Sequence, residues 1–133
     1  MAEAKITWIA DDRFSGQAGS GHIIEVDAGN QRTANSPKEL VLIGLCGCTA
    51  ADVVSILRKK REPFTSVEVR AHGESAVDPP TVYNAIHLVY RVGGKVSPKA
   101  VEDAVRLSEE KYCSVSAMLS KTAKITYEIE YAG

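Results

Sequence analysis

Three cysteines, Cys46, Cys48 and Cys113, offer the strongest chemistry in this sequence. An odd number of thiols in a chain with no secretory-leader pattern argues against a disulfide scaffold, so each is read as free. By default a free cysteine is a small buried hydrophobe. Reactivity needs a setting that favours the thiolate, the nucleophilic form. Cys113 has such a setting: Lys111-Tyr112-Cys113-Ser114-Val115-Ser116 reads as the end of one helix and the start of another. Unpaired N–H groups and the helix dipole favour an anion there. Cys48 sits mid-helix, sharing a face with Gly44, Ala51, Asp52 and Ser55, residues mostly small enough to let another backbone approach. Cys46 points to the opposite side, about 200° around the axis. Cys46-Gly47-Cys48 is therefore a poor chelate, and with no histidine or second cysteine pair beside it no metal site is expected. The residues alone yield two redox-capable thiols, one buried and one at a helix start.

The elements that must position them follow from periodicity and caps. Ser36-Pro37-Lys38-Glu39 opens a helix with an N-cap, a first-turn proline and a capping box, and the helix should run to about Lys60. Its centre is apolar on nearly every side, which predicts burial on all faces, enclosed by sheet and in part by a second subunit. Ser97-Pro98 opens a second helix that buries Val101, Ala104, Val105 and Ser108 and breaks near Tyr112. Ala4–Ile9 and Gly21–Val26 read as strands joined by a glycine-rich connection. Val67, Val69 and Ala71 alternate with polar residues, and Val82–Val92 continues as a second extended run across the turn Val77-Asp78-Pro79-Pro80-Thr81. A last strand alternates Ile125, Tyr127, Ile129 and Tyr131 with polar residues. Helices segregated from hairpins indicate an α+β fold in a single domain over residues 1–133.

Composition bounds the partners. A chain of 133 residues with a net charge of −1 offers no field for a nucleic-acid backbone or an anionic membrane. The cluster Arg58-Lys59-Lys60-Arg61 suits a helix C-terminus, where cations complement the dipole. The most apolar run, Leu40–Ala51, is twelve residues long, short of the roughly 20 that span a bilayer as a helix. No membrane association is expected, and the chain is read as cytoplasmic.

Ser36-Pro37-x-Glu39-Leu40-x-x-x-Gly44-x-x-x-Cys48, followed downstream by Tyr112-Cys113-x-x-Ser116, resembles the OsmC/Ohr family of osmotically induced and organic-hydroperoxide-resistance proteins. Element order and the Cys48-Thr49-Ala50-Ala51-Asp52-Val53-Val54-x-x-Leu57 helix are similar to its YhfA-like branch. The resemblance implies antiparallel sheets around a long central helix in an intertwined homodimer, and a thiol-dependent peroxidase acting in oxidative-stress defence. It implies that Cys48 attacks a small organic hydroperoxide or hydrogen peroxide and that Cys113 resolves the product, with an external dithiol or monothiol as reductant and no cofactor. It further implies an arginine that stabilises the thiolate and a carboxylate that positions that arginine, for which Arg13 and Glu39 are the candidates. In the family the carboxylate stands ten residues before the first cysteine, a place held here by Lys38. The capping box already accounts for Glu39, and Asp52, one turn beyond Cys48, disfavours a neighbouring thiolate unless it is paired.

Two other functions remain compatible with these residues. One is a non-catalytic module that holds a small hydrophobic ligand in a pocket the cysteines line; the other is a redox sensor that signals through its disulfide. His22, His72 and His87 lie in or beside strands without metal spacing and read as strand or surface residues.

Overall fold

The computed structural model describes all 133 residues and divides into two compact units, Met1–Val41 and Leu42–Gly133. The first is an antiparallel meander of β1 (Ala4–Ala10), β2 (Arg13–Ala18) and β3 (Ile23–Asp27), followed by the opening turn of α1 (Pro37–Lys59). Sequence patterning predicts a glycine-rich connection where β2 lies. The segment Arg-Phe-Ser-Gly-Gln-Ala has weak strand propensity, but Asp11, at φ +51°, turns the chain back and lets β2 pair with β1 on one side and β3 on the other. Gly16 faces Ile6 and Ile24 across the two neighbours, and an added Cβ would meet both side chains at 3.3 Å. The apolar side chains of this sheet are largely uncovered: Ile6, Trp8 and Ile24 are all exposed.

The second unit holds the rest of α1, then β4 (Phe64–Ser75), β5 (Tyr83–Gly94), α2 (Pro98–Leu107), a single π-helical turn (Ser108–Tyr112), α3 (Ser114–Leu119) and β6 (Lys124–Ala132). β4 and β5 form the expected antiparallel hairpin, while β6 returns parallel to β5 after the helical crossover. The core gathers Leu45, Val53 and Leu57 of α1, Ile86, Leu88 and Val92 of β5, and Val101, Ala104 and Val105 of α2. A leucine buried as fully as Leu45 or Leu57 contributes about 2 kcal/mol of transfer free energy.

The helix starts where its caps place it. Ser36 N–H donates to Glu39 Oε1 at 2.8 Å, and Glu39 N–H donates to Ser36 Oγ at 3.1 Å. Past its end at Lys59, Arg61 takes a φ of +56°, the left-handed conformation typical of a residue just beyond a helix. One chain supplies part of the expected cover. Only the stripe Leu45, Thr49, Val53 and Leu57 is buried, whereas Gly44, Gly47, Ala51 and Ser55 are exposed and Ile43 keeps 52% of its surface open. Apolar composition told of a helix wanting cover on all sides, but one chain supplies cover on one. The twelve-residue apolar run also belongs to a 23-residue helix, long and apolar enough by composition alone to cross a membrane.

Candidate active site

Cys48 and Asp52 project from successive turns of α1, both half-buried. Cys113 arrives from the far end of the crossover. After α2 the backbone widens into the π turn, closed by Cys113 N–H donating to Ser108 O at 2.9 Å. The chain then becomes extended at Cys113 (φ −76°, ψ 103°), which serves as N-cap of α3, its Sγ accepting from Ser116 N–H at 3.3 Å. The two sulfurs and a carboxylate oxygen of Asp52 lie within 4.8 Å of one another, and both thiols are free.

The helix-start setting was expected to favour a Cys113 thiolate, but burial outweighs it. Cys113 is only 4% exposed, and desolvation pushes its thiol up to about 12 against the opposing pull of the Ser116 N–H. Hydrogen bonding to Cys48 and the charges of Cys48 and Glu109 push the same way as burial. At neutral pH Cys113 therefore keeps its proton. Cys46, whose thiol is also raised by burial, packs against the core as a small hydrophobe.

The Cys48, Asp52 and Cys113 trio is the one cluster of potential metal donors close enough to share a cation. Two sulfurs and one oxygen would suit a soft divalent ion, but a thiol held protonated in a dry site is a poor donor. The trio fits a thiol pair better than a metal centre.

Beside the sulfurs runs a chain of polar groups that sequence reasoning largely missed. Ser108 O–H donates to Asp52 Oδ2 at 2.9 Å, and Ser108 Oγ lies 2.8 Å from Thr49 Oγ1. Thr49 Oγ1 lies 2.6 Å from the Tyr90 hydroxyl oxygen, and Tyr90 O–H donates to Glu109 Oε1 at 2.6 Å. Glu109 Oε2 accepts from Ser116 O–H at 3.0 Å, which returns the chain to the Cys113 cap. Thr49, Tyr90 and Ser108 are wholly buried. Burial, reinforced by the Glu109 acceptor, raises the Tyr90 phenol well above its ordinary value. The signal that pointed here was Ser108, a hydroxyl that continues the apolar face of α2 into the π turn. The partner that Asp52 finds is Ser108, a neutral hydroxyl rather than a cation.

Arg13 and Glu39 both belong to the first unit. Arg13 heads β2 opposite Asp27, a carboxylate held below its usual range first by the Thr33 N–H, then by the Thr33 hydroxyl and the Gly29 N–H, with the charge of Arg13 as the smallest contribution. Glu39 is likewise lowered, chiefly by the Ser36 N–H, and its guanidinium partner is Arg32 at 3.2 Å. Sequence reasoning did not single out Arg32. His87 lies on the exposed β5–β6 surface between Thr126 and Glu128 at 2.8 and 2.9 Å, a strand-surface residue as read. An open groove of about 570 Å³ in the second unit, lined by Ala50, Ala51, Val54, Ser55, Arg58, Lys59 and Val67, includes neither cysteine.

Comparison with known proteins fits this geometry. The family model described as OsmC-like protein matches residues 29–128. Protein YhfA of Escherichia coli K12 is 40% identical over 129 residues, covering 96% of each chain. A crystal structure of a hypothetical protein from Aquifex aeolicus superposes with a TM-score of 0.86 at 31% identity, covering 100% of this chain and 98% of the other. At 12% identity, the organic hydroperoxide resistance protein OhrB of Bacillus subtilis shares the fold, with a TM-score of 0.68 and 98% coverage of both chains. The paired-cysteine motifs, the two three-stranded sheets and the long apolar helix thus agree with sequence and fold similarity: the chain belongs to the OsmC family.

Proposed function

We propose that this protein is a thiol-dependent peroxidase that reduces organic hydroperoxides or hydrogen peroxide in the cytoplasm, as part of oxidative-stress defence. The observation that carries this reading is the placement of Cys48 and Cys113 sulfurs within 4.8 Å, one half-buried and one buried and protonated. Cys48 loses its proton and attacks one peroxide oxygen. The O–O bond breaks, Cys48 becomes a sulfenic acid, and the departing alkoxide or hydroxide takes a proton to leave as alcohol or water. Cys113 then attacks the sulfenic sulfur, the S–O bond breaks, and the hydroxide takes up a proton to leave as water, balanced by the proton that Cys113 gives up. An external dithiol or monothiol reduces the resulting disulfide by exchange. Cys113 suits the second step because a thiol that holds its proton does not compete for the peroxide. No cofactor enters the sequence.

The working form in this reading is a homodimer. The uncovered stripe Gly44, Gly47, Ala51 and Ser55 on α1 has the small side chains that admit another helix, and Ile6, Trp8 and Ile24 leave an apolar sheet face bare. A second copy covers these surfaces better than lipid would, since Asp52 and Ser55 break the helix's apolar character beside that stripe. Within the dimer Arg13 is the candidate to stabilise the Cys48 thiolate, with Glu39 as the carboxylate that orients an arginine. Because Glu39 pairs with Arg32, separate Arg13→Ala and Arg32→Ala variants decide which guanidinium serves Cys48: the correct one lowers the rate of Cys48 oxidation.

The test is peroxide consumption with a panel of peroxides and both classes of thiol reductant. Turnover is expected in the wild type, none in Cys48→Ser, and in Cys113→Ser a trapped sulfenate or mixed disulfide. Wild-type consumption no faster than that of Cys48→Ser would sink the reading.

A further inference from the structure

The polar chain beside the thiols is one proton short if both of its carboxylates are ionised. Asp52 then requires the Ser108 proton and Glu109 requires the Tyr90 proton. Thr49 has a single proton left, yet its oxygen lies 2.8 Å from Ser108 Oγ and 2.6 Å from the Tyr90 oxygen. Four close O···O contacts would share three hydroxyl protons, and one pair of buried oxygens would meet lone pair to lone pair. At such separations the oxygens touch directly, with no room for water between them. Leaving a buried acceptor against another acceptor forfeits a hydrogen bond where its loss costs most. One additional proton, on either carboxyl, fills every contact. If Asp52 carries it, all hydroxyls donate towards Glu109; if Glu109 carries it, all donate towards Asp52.

We propose that Asp52, Ser108, Thr49, Tyr90 and Glu109 form a store for one mobile proton, set against the Cys48–Cys113 pair so that Asp52 delivers it to the leaving oxygen of the bound peroxide. Groups facing the store include Cys48 from α1, Cys113 and Ser116 from the cap of α3, and Tyr127 of β6, whose ring meets Tyr90 edge-on at 6.0 Å. None is a cation that would hold both carboxylates ionised.

The delivery step rests on the peroxidase reading, and the balance closes within it. Cys48–SH gives up its proton in the attack, and the chain, already full with one, takes it up only as Asp52 releases its own. Attack breaks the O–O bond, leaving sulfenic acid on Cys48 and RO⁻. Asp52–COOH protonates RO⁻ to ROH, and the proton from Cys48 refills the chain. In the second step Asp52 protonates the departing hydroxide, and the Cys113 proton takes its place. The store ends each step as it began. A neutral Asp52 also removes the repulsion that a charged carboxylate would impose on a neighbouring Cys48 thiolate.

Infrared spectroscopy of the reduced, resting protein at neutral pH tests the store without any peroxide. One protonated-carboxyl C=O band per chain is expected, shifting on exchange into D₂O. Thr49→Val splits the chain into two self-sufficient pairs, Ser108–Asp52 and Tyr90–Glu109, so the band should vanish. Glu109→Gln should also remove it, because the Gln amide donates to Tyr90 without an added proton. Asp103→Asn, at a carboxylate held ionised by Arg106, should leave it intact. Absence of the band in the wild type, or its survival in Thr49→Val, overturns the proposal. In turnover, Thr49→Val should slow peroxide reduction roughly a hundredfold, the usual scale of a lost general acid. A wild type with the band but no peroxide consumption upholds the store and overturns the peroxidase reading.

Discussion

Two carboxylates in this molecule show opposite ways of using hydrogen bonds. Asp27, at the end of β3, accepts from Gly29 N–H, Thr33 N–H and Thr33 O–H, so it has a surplus of donors and no reason to gain a proton. Asp52 accepts from Ser108, whose own oxygen touches Thr49, whose oxygen touches Tyr90, which already donates to Glu109. The first site is saturated and ties a loop to a strand. The second is undersupplied and lies beside two thiols. A polar cluster with every donor matched stabilises structure, while one that lacks a donor can exchange protons with a reaction.

The sharpest break between the two sites is in chemistry. Cys48→Ser should abolish peroxide consumption, whereas Asp27→Asn should leave it unchanged; a loss of turnover in both would erase the distinction. Next in size is Tyr90→Phe, which strips the hydroxyl between Thr49 and Glu109. Chemical denaturation should show a loss of about 1–3 kcal/mol, the cost of an unsatisfied buried group.

Smaller effects appear in stability against pH. Burial raises the Cys113 thiol from 9.0 to about 12, so its contribution is fully present below about 9 and is lost as pH rises through about 12. Cys113→Ala should flatten that alkaline limb in thermal melts. Asp27 has the opposite sign. Its pKa is held below 3.8 by Thr33 and Gly29, so its contribution is present above the unfolded-state value and is lost as pH falls through the folded one. Asp27→Asn should flatten the acid limb, and only slightly.

Much of this fold was legible because its signals are local. The Ser36-Pro37 and Ser97-Pro98 starts, the Glu39 capping box and the alternation through β4 and β6 each occupy a few consecutive residues, and each formed as read. β2 was not legible, since its sequence alternates poorly and its place is set by two neighbours. The cover of α1 was legible only in part for a related reason: composition states that a surface is apolar, not which chain covers it. At the site, Cys48 and Cys113 stood out by type and motif. The hydroxyl relay did not, because Thr49 meets Tyr90 and Ser108 across 41 and 59 residues of sequence. Serine and threonine carry no mark of such distant partners until the fold joins them.

The π turn between α2 and α3 makes the winding of the backbone itself a functional constraint. Its wider winding accommodates one more residue than an α-helical turn would. Wound as regular α-helix at the same length, Ser108–Tyr112 would carry everything after it about 100° further around the axis. Cys113 would lose its place opposite Cys48, and Ser116 its reach to Glu109. Glu110, Lys111 and Tyr112 are exposed and should accept exchange for other side chains. The segment therefore tolerates new side chains but not a new winding, as a spacer in a lock tolerates any metal of the right thickness.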